Sequence, residues 1–341
     1  MTPQPVLHYF VDANSSAGYV DLFGQSFGGL ANVQELSDFP EETAGKLLSR
    51  AAQEAEARGL RVEWIHNCLT DRPMGLIVPQ LSAGVINRQT WRPGALSALA
   101  AQEDESLLAA RAALQTAWES FGRARVVHDE WERYYIENMD FAAADRLAAE
   151  TCESLIGVKR SLTGKGACVE RFFGAATVSG SVDHIRSITQ ELDRRYFLKG
   201  RPGTGKSTFL KRIAAAAQEN GFDVEFYRCS LDPNSCDMVL VRELGFCVFD
   251  STAPHEYFPE RPGDEEIDLY RAAVREGTDE RYAAELADVE SRYRALVRRA
   301  SAALAEAWRM VEAFQRNRLP SFNAERLASQ RETLLAALFR G

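Results

Sequence analysis

Near the middle of the chain, the segment GRPGTGKST at positions 200 to 208 has the residue types and spacing needed to hold phosphate groups. Its pattern is G-x-x-x-x-G-K-[ST], in which glycines let backbone N–H groups approach phosphate oxygens. Lys206 would reach the β- and γ-phosphates, and Ser207 would offer its hydroxyl to Mg²⁺. The predicted nucleotide-binding residues are Gly200, Arg201, Pro202, Gly203, Thr204, Gly205, Lys206, Ser207 and Thr208.

The residues on both sides of this motif favour the order strand, loop, helix that a phosphate-binding loop requires. RRYFL, residues 194 to 198, predicts a short buried strand. KSTFLKRIAAAAQENG predicts a helix that ends near Gly221 and directs its positive dipole end at the bound anion. The apolar face expected for this helix consists of Phe209, Leu210, Ile213, Ala214 and Ala217.

A carboxylate ends the second of two further predicted strands. These strands are DVEFYRC, residues 223 to 229, and ELGFCVFD, residues 243 to 250. In P-loop proteins a carboxylate at such a strand end holds the Mg²⁺ shell beside the loop serine or threonine. Asp250 is therefore the predicted second metal residue, together with Ser207, and a catalytic candidate with Lys206.

Polar residues in the loops after these strands are further catalytic candidates. His255 could sense the γ-phosphate or orient water, or it could be an ordinary loop histidine that packs against its neighbours. Asp232 and Asp237 could position a nucleophile or an acceptor hydroxyl. The sequence CSLDPNSCD is equally typical of a turn, in which these aspartates would have no catalytic role.

The sequence also contains an internal repeat with an offset of about 162 residues. GLRVEWIHNCL, from Gly59, matches GFDVEFYRCSL, from Gly221, and further matches extend in both directions. Residues 1–160 are therefore predicted to form a degenerate P-loop NTPase-like domain, and residues 161–341 a P-loop NTPase domain with an intact loop.

The first copy lacks the residues that would grip a nucleotide. In DFPEETAGK, residues 38 to 46, Ala44 and Gly45 stand at the positions of the lysine and the serine, and Glu41 places negative charge near the expected phosphates. Asn87 replaces the strand-end aspartate. Because each charge-assisted bond is worth about 1.5–3 kcal/mol, we expect no magnesium nucleotide in this half.

Beyond its strands each half of the chain becomes helical, with apolar residues every three or four positions. In the second half this stripe comprises Tyr282, Leu286, Val289, Tyr293, Leu296, Ala300, Leu304, Trp308 and Val311. The pattern is typical of a helix pair packed along one seam. The predicted fold class is therefore α/β, with tandem duplicated P-loop NTPase domains, mostly parallel sheets and a long helical hairpin in each.

The chain resembles a family of bacterial tandem P-loop ATPases, sometimes labelled nucleotide kinases. The most similar segments are HDEWERYYIENMDF, KGRPGTGKST, FDVEFYRCSLDPNSCDMV and RELGFCVFDSTAPHEYFP, and the resemblance extends over nearly the whole chain. Members of that family typically carry a phosphate loop in both halves, and this sequence departs from the pattern at residues 38 to 46. The resemblance implies ATP and Mg²⁺ as ligands but leaves the reaction open.

Composition restricts the partners. A net charge of −9 and a pI near 5.3 give no general attraction to phosphate backbones, so nucleic acid is not expected as a partner. The chain has no run of eighteen apolar residues and no basic-then-apolar leader, which predicts a cytoplasmic protein without a membrane partner. Its six cysteines are scattered and predict reduced thiols.

Three kinds of function fit the motif. The first is an ATPase or ATP-driven switch, in which catalysis is mostly positioning and electrostatics. The second is a small-molecule or nucleotide kinase that transfers the phosphoryl group to a hydroxyl. The third is a sensor or scaffold that binds ATP with little hydrolysis and signals through a domain rearrangement. The acceptor and any protein partner stay open.

Overall fold

The structure, a computed structural model, describes residues 6–37, 41–88, 93–97, 104–157, 164–318 and 324–339. Its strands, in chain order, are β1 (Leu7–Phe10), β2 (Asp12–Ser15), β3 (Gly18–Asp21), β4 (Asn32–Ser37), β5 (Glu63–His66), β6 (Pro73–Val78), β7 (Ala83–Arg88), β8 (Cys168–Arg171), β9 (Gly174–Thr177), β10 (Gly180–Asp183), β11 (Arg194–Lys199), β12 (Val224–Arg228), β13 (Cys236–Val241), β14 (Phe246–Asp250) and β15 (Asp264–Asp268). Its α-helices are α1 (Phe23–Phe27), α2 (Glu41–Ala57), α3 (Pro93–Ser97), α4 (Glu105–Ile136), α5 (Phe141–Ile156), α6 (Ile185–Ile188), α7 (Lys206–Glu219), α8 (Leu269–Ala273), α9 (Thr278–Arg281), α10 (Ala283–Arg318) and α11 (Ala324–Leu338).

These elements form two compact units of mixed α/β structure. Unit 1 comprises Met1–Glu119, Phe172–Ile188 and Arg299–Gly341, and unit 2 comprises Ser120–Arg171 and Thr189–Arg298. The boundary between the units falls within α4 and within α10. The division into residues 1–160 and 161–341 describes the sequence repeat, and it stays a prediction.

The sheet of unit 1 has the strand order β1-β5-β6-β7-β4. Its outer pairs, β1 with β5 and β4 with β7, are parallel, and its two inner pairs are antiparallel. Helices α2 and α11 pack on this sheet and bury an apolar core that includes Leu48, Leu76, Val85 and Leu338. The backbones of Phe10 and Phe172 exchange two hydrogen bonds of 2.9 Å, which tie residues 172–188 to strand β1.

The sheet of unit 2 has the strand order β15-β11-β14-β13-β12-β8. Strand β11 is parallel to both β15 and β14, and β12 is parallel to β8, whereas β13 is antiparallel to both its neighbours. Helix α7 packs on β12, β13 and β14. All five residues of its predicted apolar face are buried, which confirms that prediction.

Both sheets are mixed, whereas the sequence predicted mostly parallel sheets. Strand β13 is the reason in unit 2, because the segment CDMVLV was not recognised as a strand behind the turn-like CSLDPNSCD. Only residues 229–235 join β12 to β13, and a parallel connection needs a dozen or more residues. The two strands therefore form a hairpin. Because β13 also pairs with β14 in antiparallel register, the start of β13 lies beside the end of β14.

The long helices α4 and α10 pair differently from the predicted hairpins. In unit 2 the second half of α4 lies against the first half of α10: the rings of Trp131 and Tyr293 are 5.9 Å apart, and Arg292 donates to Glu130 at 2.6 and 3.0 Å. Helix α5 instead packs on α7 and α8, and α11 packs on β4 and β7. Among the residues that the structure describes, no helix has the length and apolar character needed to cross a membrane.

Candidate functional site

The loop between β11 and α7 consists of residues 200–205, and its backbone requires glycine at two points. Gly203 and Gly205 have φ angles of 77° and 81°, in the left-handed region that other residues rarely adopt. A Cβ atom on Gly203 would also lie 2.6 Å from the carbonyl oxygen of Glu132 in α4. The two glycines thus permit the tight turn from which α7 begins, and the start of such a helix favours anions.

Lys206, the first residue of α7, lies between this loop and the end of β14. Its Nζ donates to the carbonyl oxygen of Arg201 at 3.0 Å and lies 3.6 Å from Oδ2 of Asp250. Asp250 also accepts hydrogen bonds from the backbone N–H and the hydroxyl of Thr252, at 3.1 and 2.6 Å. The structure therefore brings the predicted lysine and the predicted aspartate together.

Ser207, the predicted metal residue of the loop, contacts the start of β13. Its Oγ accepts a hydrogen bond of 3.0 Å from the backbone N–H of Cys236. This bond places the Ser207 hydroxyl beside the strand that carries Asp237. The start of α7, the start of β13 and the end of β14 thus meet at one edge of the sheet.

Asp237 lies opposite Asp250, because the antiparallel register pairs Met238 with Phe249. Side chains directly opposite each other in such a ladder have Cβ atoms about 4.5–5.5 Å apart, and like charges at these positions repel. Burial, followed by the negative charge of Asp250, raises the pKa of Asp237 to about 7. A carboxyl group with this pKa can accept a proton at neutral pH, which suits a general base.

The other two catalytic candidates have different surroundings. Asp232 accepts hydrogen bonds of 3.1 Å from the Arg125 Nε and from the backbone N–H of Asn234, so it serves an ion pair and a turn. His255 lies in the loop that follows β14, where it is partly buried and its backbone N–H donates to the carbonyl oxygen of Thr252 at 3.0 Å. The ion pair and the turn give Asp232 a structural role.

Interactions within the loop hold its first residues in place. Thr204 is buried, and its hydroxyl donates to the carbonyl oxygen of Arg201 at 2.8 Å and accepts from the Arg201 N–H at 3.2 Å. The guanidinium of Arg201 donates to Asp279 at 2.9 Å. A Cβ on Gly200 would lie 2.5 Å from the Thr204 hydroxyl, and Pro202 is partly buried. The loop is therefore packed closely.

A cleft of about 330 Å³ lies beside the start of α7. This volume falls within the range of about 300–1,000 Å³ that is usual for ligand pockets. The cleft is lined by Met139, Phe141, Ala144, Asp145, Ala148, Thr204, Gly205, Thr208, Phe209, Arg212 and Leu269. Phe141 is 57% exposed although it is a large apolar side chain. The cleft thus joins an exposed aromatic ring to residues of the phosphate-loop motif.

Unit 1 has a different structure at the positions that align with the loop. Residues 38–40 lie outside the described part of the chain, and α2 begins at Glu41, before Ala44, the residue aligned with Lys206. The buried side chain of Glu41 accepts hydrogen bonds from the hydroxyl of Thr70 at 2.7 Å and from Arg72 at 3.2 Å. Burial raises the pKa of this carboxyl group.

The strand ends of unit 1 lack both carboxylates. Gly75 pairs with Ile86 in the antiparallel register, so Met74 lies opposite Asn87. These two residues, both buried, occupy the places that Asp237 and Asp250 have in unit 2. The sequence comparison identified the change at Asn87, and extending the same alignment by a few residues would also have identified Met74.

The sequence analysis missed a cluster of histidines in unit 1. His8 in β1, His66 at the end of β5 and His184 before α6 have ring centroids 4.3–5.5 Å apart, and Asp71 contacts two of them. No local spacing signals this cluster, because its members are far apart in the sequence. Burial, reinforced by the other two histidines, lowers the pKa of His8 to about 4. Burial alone would raise the pKa of Asp71, but hydrogen bonds from His184 and His66 hold it below its ordinary value.

Comparison of the chain with protein-family models, with curated proteins and with solved structures found no match. The functional assignment therefore depends on the residues described above and on their chemistry.

Proposed function

We propose that the chain is an ATP-binding P-loop protein that hydrolyses ATP, or uses it to drive a conformational switch, at the loop of unit 2. The observation that carries this proposal is the convergence of Lys206, Asp250 and Asp237 at the end of the glycine-containing loop. Phosphoryl transfer depends mainly on positioning and electrostatic stabilisation, so few further groups are needed.

Lys206 is the group that would neutralise the β- and γ-phosphates. Its ammonium group contacts a backbone carbonyl at 3.0 Å and the Asp250 carboxylate at 3.6 Å, so it is already directed into the loop region. Turning toward a phosphate would exchange a neutral acceptor for a charged one, and such charge-assisted bonds contribute about 1.5–3 kcal/mol.

Ser207 and Asp250 fit a Mg²⁺ ion, because hydroxyl and carboxylate oxygens are the hard ligands that this ion prefers. When bound, the ion would neutralise charge on the phosphoryl group. Asp237, which lies opposite Asp250 in the β13–β14 ladder, would accept the proton of the attacking water. Asp250 would keep Lys206 and the metal ligands close to one another.

The purine base of the nucleotide would occupy the cleft beside α7. Thr204, Gly205 and Thr208 belong to the phosphate-loop motif and also line the cleft. One ligand can therefore extend from the loop into the cleft. Phe141 offers an exposed ring on which a base can stack. The ion pair between Arg212 and Asp145, 2.5 Å long, supplies polar groups in the same cleft.

A kinase is the second candidate, and the carboxyl group of Asp237 supports it equally, because the same base could accept the proton of a hydroxyl group. The two functions differ in one measurement. Steady phosphate release from ATP and Mg²⁺ without an acceptor favours the ATPase, whereas ATP consumption only after addition of a metabolite pool favours the kinase. Tight ATP binding with negligible turnover under both conditions would instead favour the sensor.

Lys206→Ala tests the phosphate site. We expect the affinity for ATP to fall about 10- to 150-fold, the equivalent of one charge-assisted contact. Lys211→Ala is the matched control, because Lys211 is an exposed lysine of the same helix whose Nζ donates to the carbonyl oxygen of Asn234. Equal affinity in the two variants, measured by calorimetry in Mg²⁺, would contradict the assignment.

Phe141→Ala tests the position of the base. Stacking of a base on an aromatic ring is worth about 1–3 kcal/mol, so the affinity for ATP should fall about 5- to 150-fold while that for inorganic triphosphate stays unchanged. Phe258→Ala removes another exposed phenylalanine, 61% exposed and outside the cleft, and should leave both affinities unchanged.

We further infer that the two sheets descend from one duplicated P-loop domain. The strand order β1-β5-β6-β7-β4 and the order β8-β12-β13-β14-β11 have the same sequence of parallel and antiparallel pairs. Aligned strands also keep the sequence offset of about 162 residues. A nucleotide stoichiometry of one per chain would agree with a single intact loop, and a stoichiometry of two would contradict the loss of binding in the first copy.

A further inference from the structure

His66, Asp71 and His184 in unit 1 bring three atoms that can bind a metal close together, and Nδ1 of His66 also lies 2.8 Å from the carbonyl oxygen of Asp71. Oδ1 of Asp71 lies 3.0 Å from Nδ1 of His66 and 2.9 Å from Nε2 of His184, and the three ligand atoms all lie within 4.8 Å of one another. The side chain of His66 is 8% exposed and that of Asp71 is 28% exposed. The cluster is therefore largely enclosed but accessible to solvent on the side of Asp71.

We propose that this cluster binds a divalent transition-metal ion, and that Zn²⁺ is the ion its donors suit. Two imidazoles and one carboxylate are a common zinc ligand set, and three protein ligands leave a fourth position open. Tetrahedral Zn²⁺ with ligands at 2.0–2.1 Å separates neighbouring ligand atoms by about 3.3 Å. The two distances from Asp71, now 2.9 and 3.0 Å, would increase by a few tenths of an ångström, and the two histidine nitrogens already lie within 4.8 Å of each other.

His8 is placed to orient the ring of His66. Its Nδ1 lies 2.8 Å from Nε2 of His66, the ring nitrogen that faces away from Asp71. When Nδ1 of His66 binds a metal, the ring proton resides on Nε2 and is donated to His8. Metal-binding histidines usually make such a hydrogen bond to a second residue. Phe10, stacked on His184 with ring centroids 5.1 Å apart, provides an apolar wall.

The backbone conformation of Asp71 also supports a functional role for the cluster. Asp71 has a φ of 58°, in the left-handed region that is uncommon for residues other than glycine. Such backbone outliers concentrate at ligand-binding and active sites. The cluster also lies where the parallel strands β1 and β5 end, since Phe10 and His66 pair in the register, and this edge of an α/β sheet is a usual place for ligands.

The aligned positions of unit 2 hold an ordinary ion pair. At the offset of 162 residues, His8 corresponds to Glu170 and His66 to Arg228. Arg228 donates to both carboxylate oxygens of Glu170, at 2.7 and 2.8 Å. Two neighbouring strands can therefore pair without histidines at these positions. Strand pairing alone does not explain the histidines of unit 1.

The test is a titration of the full chain, freed of metal by a chelator, with Zn²⁺ in excess Mg²⁺. We expect one Zn²⁺ per chain, and a Co²⁺-substituted protein with the visible absorption of a nitrogen-ligated ion. His66→Gln and His184→Gln should each weaken binding at least about 10-fold, and His8→Ala about 10- to 100-fold, as for residues that orient a ligand. Circular dichroism establishes that each variant is folded.

His128→Gln is the matched control. His128 belongs to the other metal-compatible group among the described residues, with Asp129 and Glu132 in unit 2. Zinc binding that survives in this variant but is lost in His184→Gln supports the proposal. Absence of both zinc binding and the cobalt absorption in the unaltered chain overturns it, as does loss of binding in His128→Gln alone. The cobalt spectrum decides the outcome if a histidine variant does not fold.

Discussion

Replacing Asp237 with asparagine should stabilise the ligand-free protein, and the gain should increase with pH. Burial and the facing charge of Asp250 raise the pKa of Asp237 to about 7, from an ordinary value of 3.8. A carboxyl group whose pKa is raised by folding makes its full contribution to the stability of the folded state at pH values below its pKa in the unfolded chain. That contribution is lost as the pH rises through the folded pKa, so ionised Asp237 destabilises the protein at alkaline pH.

The magnitude follows from the two pKa values. One pKa unit corresponds to about 1.4 kcal/mol, so the complete effect is about 4 kcal/mol well above pH 7. Part of it is already present at pH 5. The advantage of Asp237→Asn over the unaltered protein should therefore be about 2–3 kcal/mol larger at pH 8.5 than at pH 5.

Urea denaturation followed by circular dichroism at these two pH values measures this difference directly. Asp232→Asn is the control, because it removes a carboxylate in the loop between β12 and β13, where Arg125 pairs with it at 3.1 Å. That partly exposed pair is worth about 0–1 kcal/mol, so the control should be neutral or slightly destabilising. If Asp237→Asn is no more stable than the unaltered chain at pH 8.5, or if its advantage does not increase with pH, Asp237 is not buried opposite Asp250 as described.

Two further sites give predictions of their own. Asp264→Asn removes the negative charge and one of the two oxygens that accept hydrogen bonds from Arg195, at 2.8 and 2.6 Å, and it should cost about 3–5 kcal/mol in urea denaturation, as expected when a buried arginine loses its counter-charge. Although burial opposes it, the guanidinium of Arg195 lowers the pKa of Asp264 to about 2, so the unaltered protein should lose stability in circular dichroism as the pH falls from about 4 toward 2. Gly203→Ala should weaken ATP binding, measured by calorimetry, because its Cβ would lie 2.6 Å from the Glu132 carbonyl oxygen. Gly277→Ala has a similar φ of 80° but open space around the added atom, so it should cost only about 1–2 kcal/mol of stability and leave ATP binding unchanged.

The sequence predicted the elements around the loop because each has a strong local signal. RRYFL and the helix after the loop correspond to β11 and α7, and the strands near residues 224 and 246 were also anticipated. The sequence did not predict strand β13, because its polar first residues belong to a segment typical of a turn. Asp237 was accordingly named as a candidate without its partner, since only the β13–β14 register places it opposite Asp250.

Features that depend on distant residues could not be predicted in this way. The pairing of α4 with α10 in unit 2 joins segments more than a hundred residues apart, whereas an apolar stripe gives only the face that is buried. The histidine cluster likewise requires β1 to pair with β5 and His184 to approach both strands. Neither arrangement leaves a spacing pattern in the sequence.

Glu41 places a carboxyl group at the start of α2 in unit 1. Its carboxyl group is buried and is held by the Thr70 hydroxyl and by Arg72, whose guanidinium also lies 5.7 Å from the ring centre of Trp308. A nucleotide phosphate at this helix start would have to displace the Glu41 carboxyl group, which is part of the chain and therefore always present. Under the proposed duplication, a lysine introduced at position 44 would therefore not be sufficient to create a nucleotide site in unit 1.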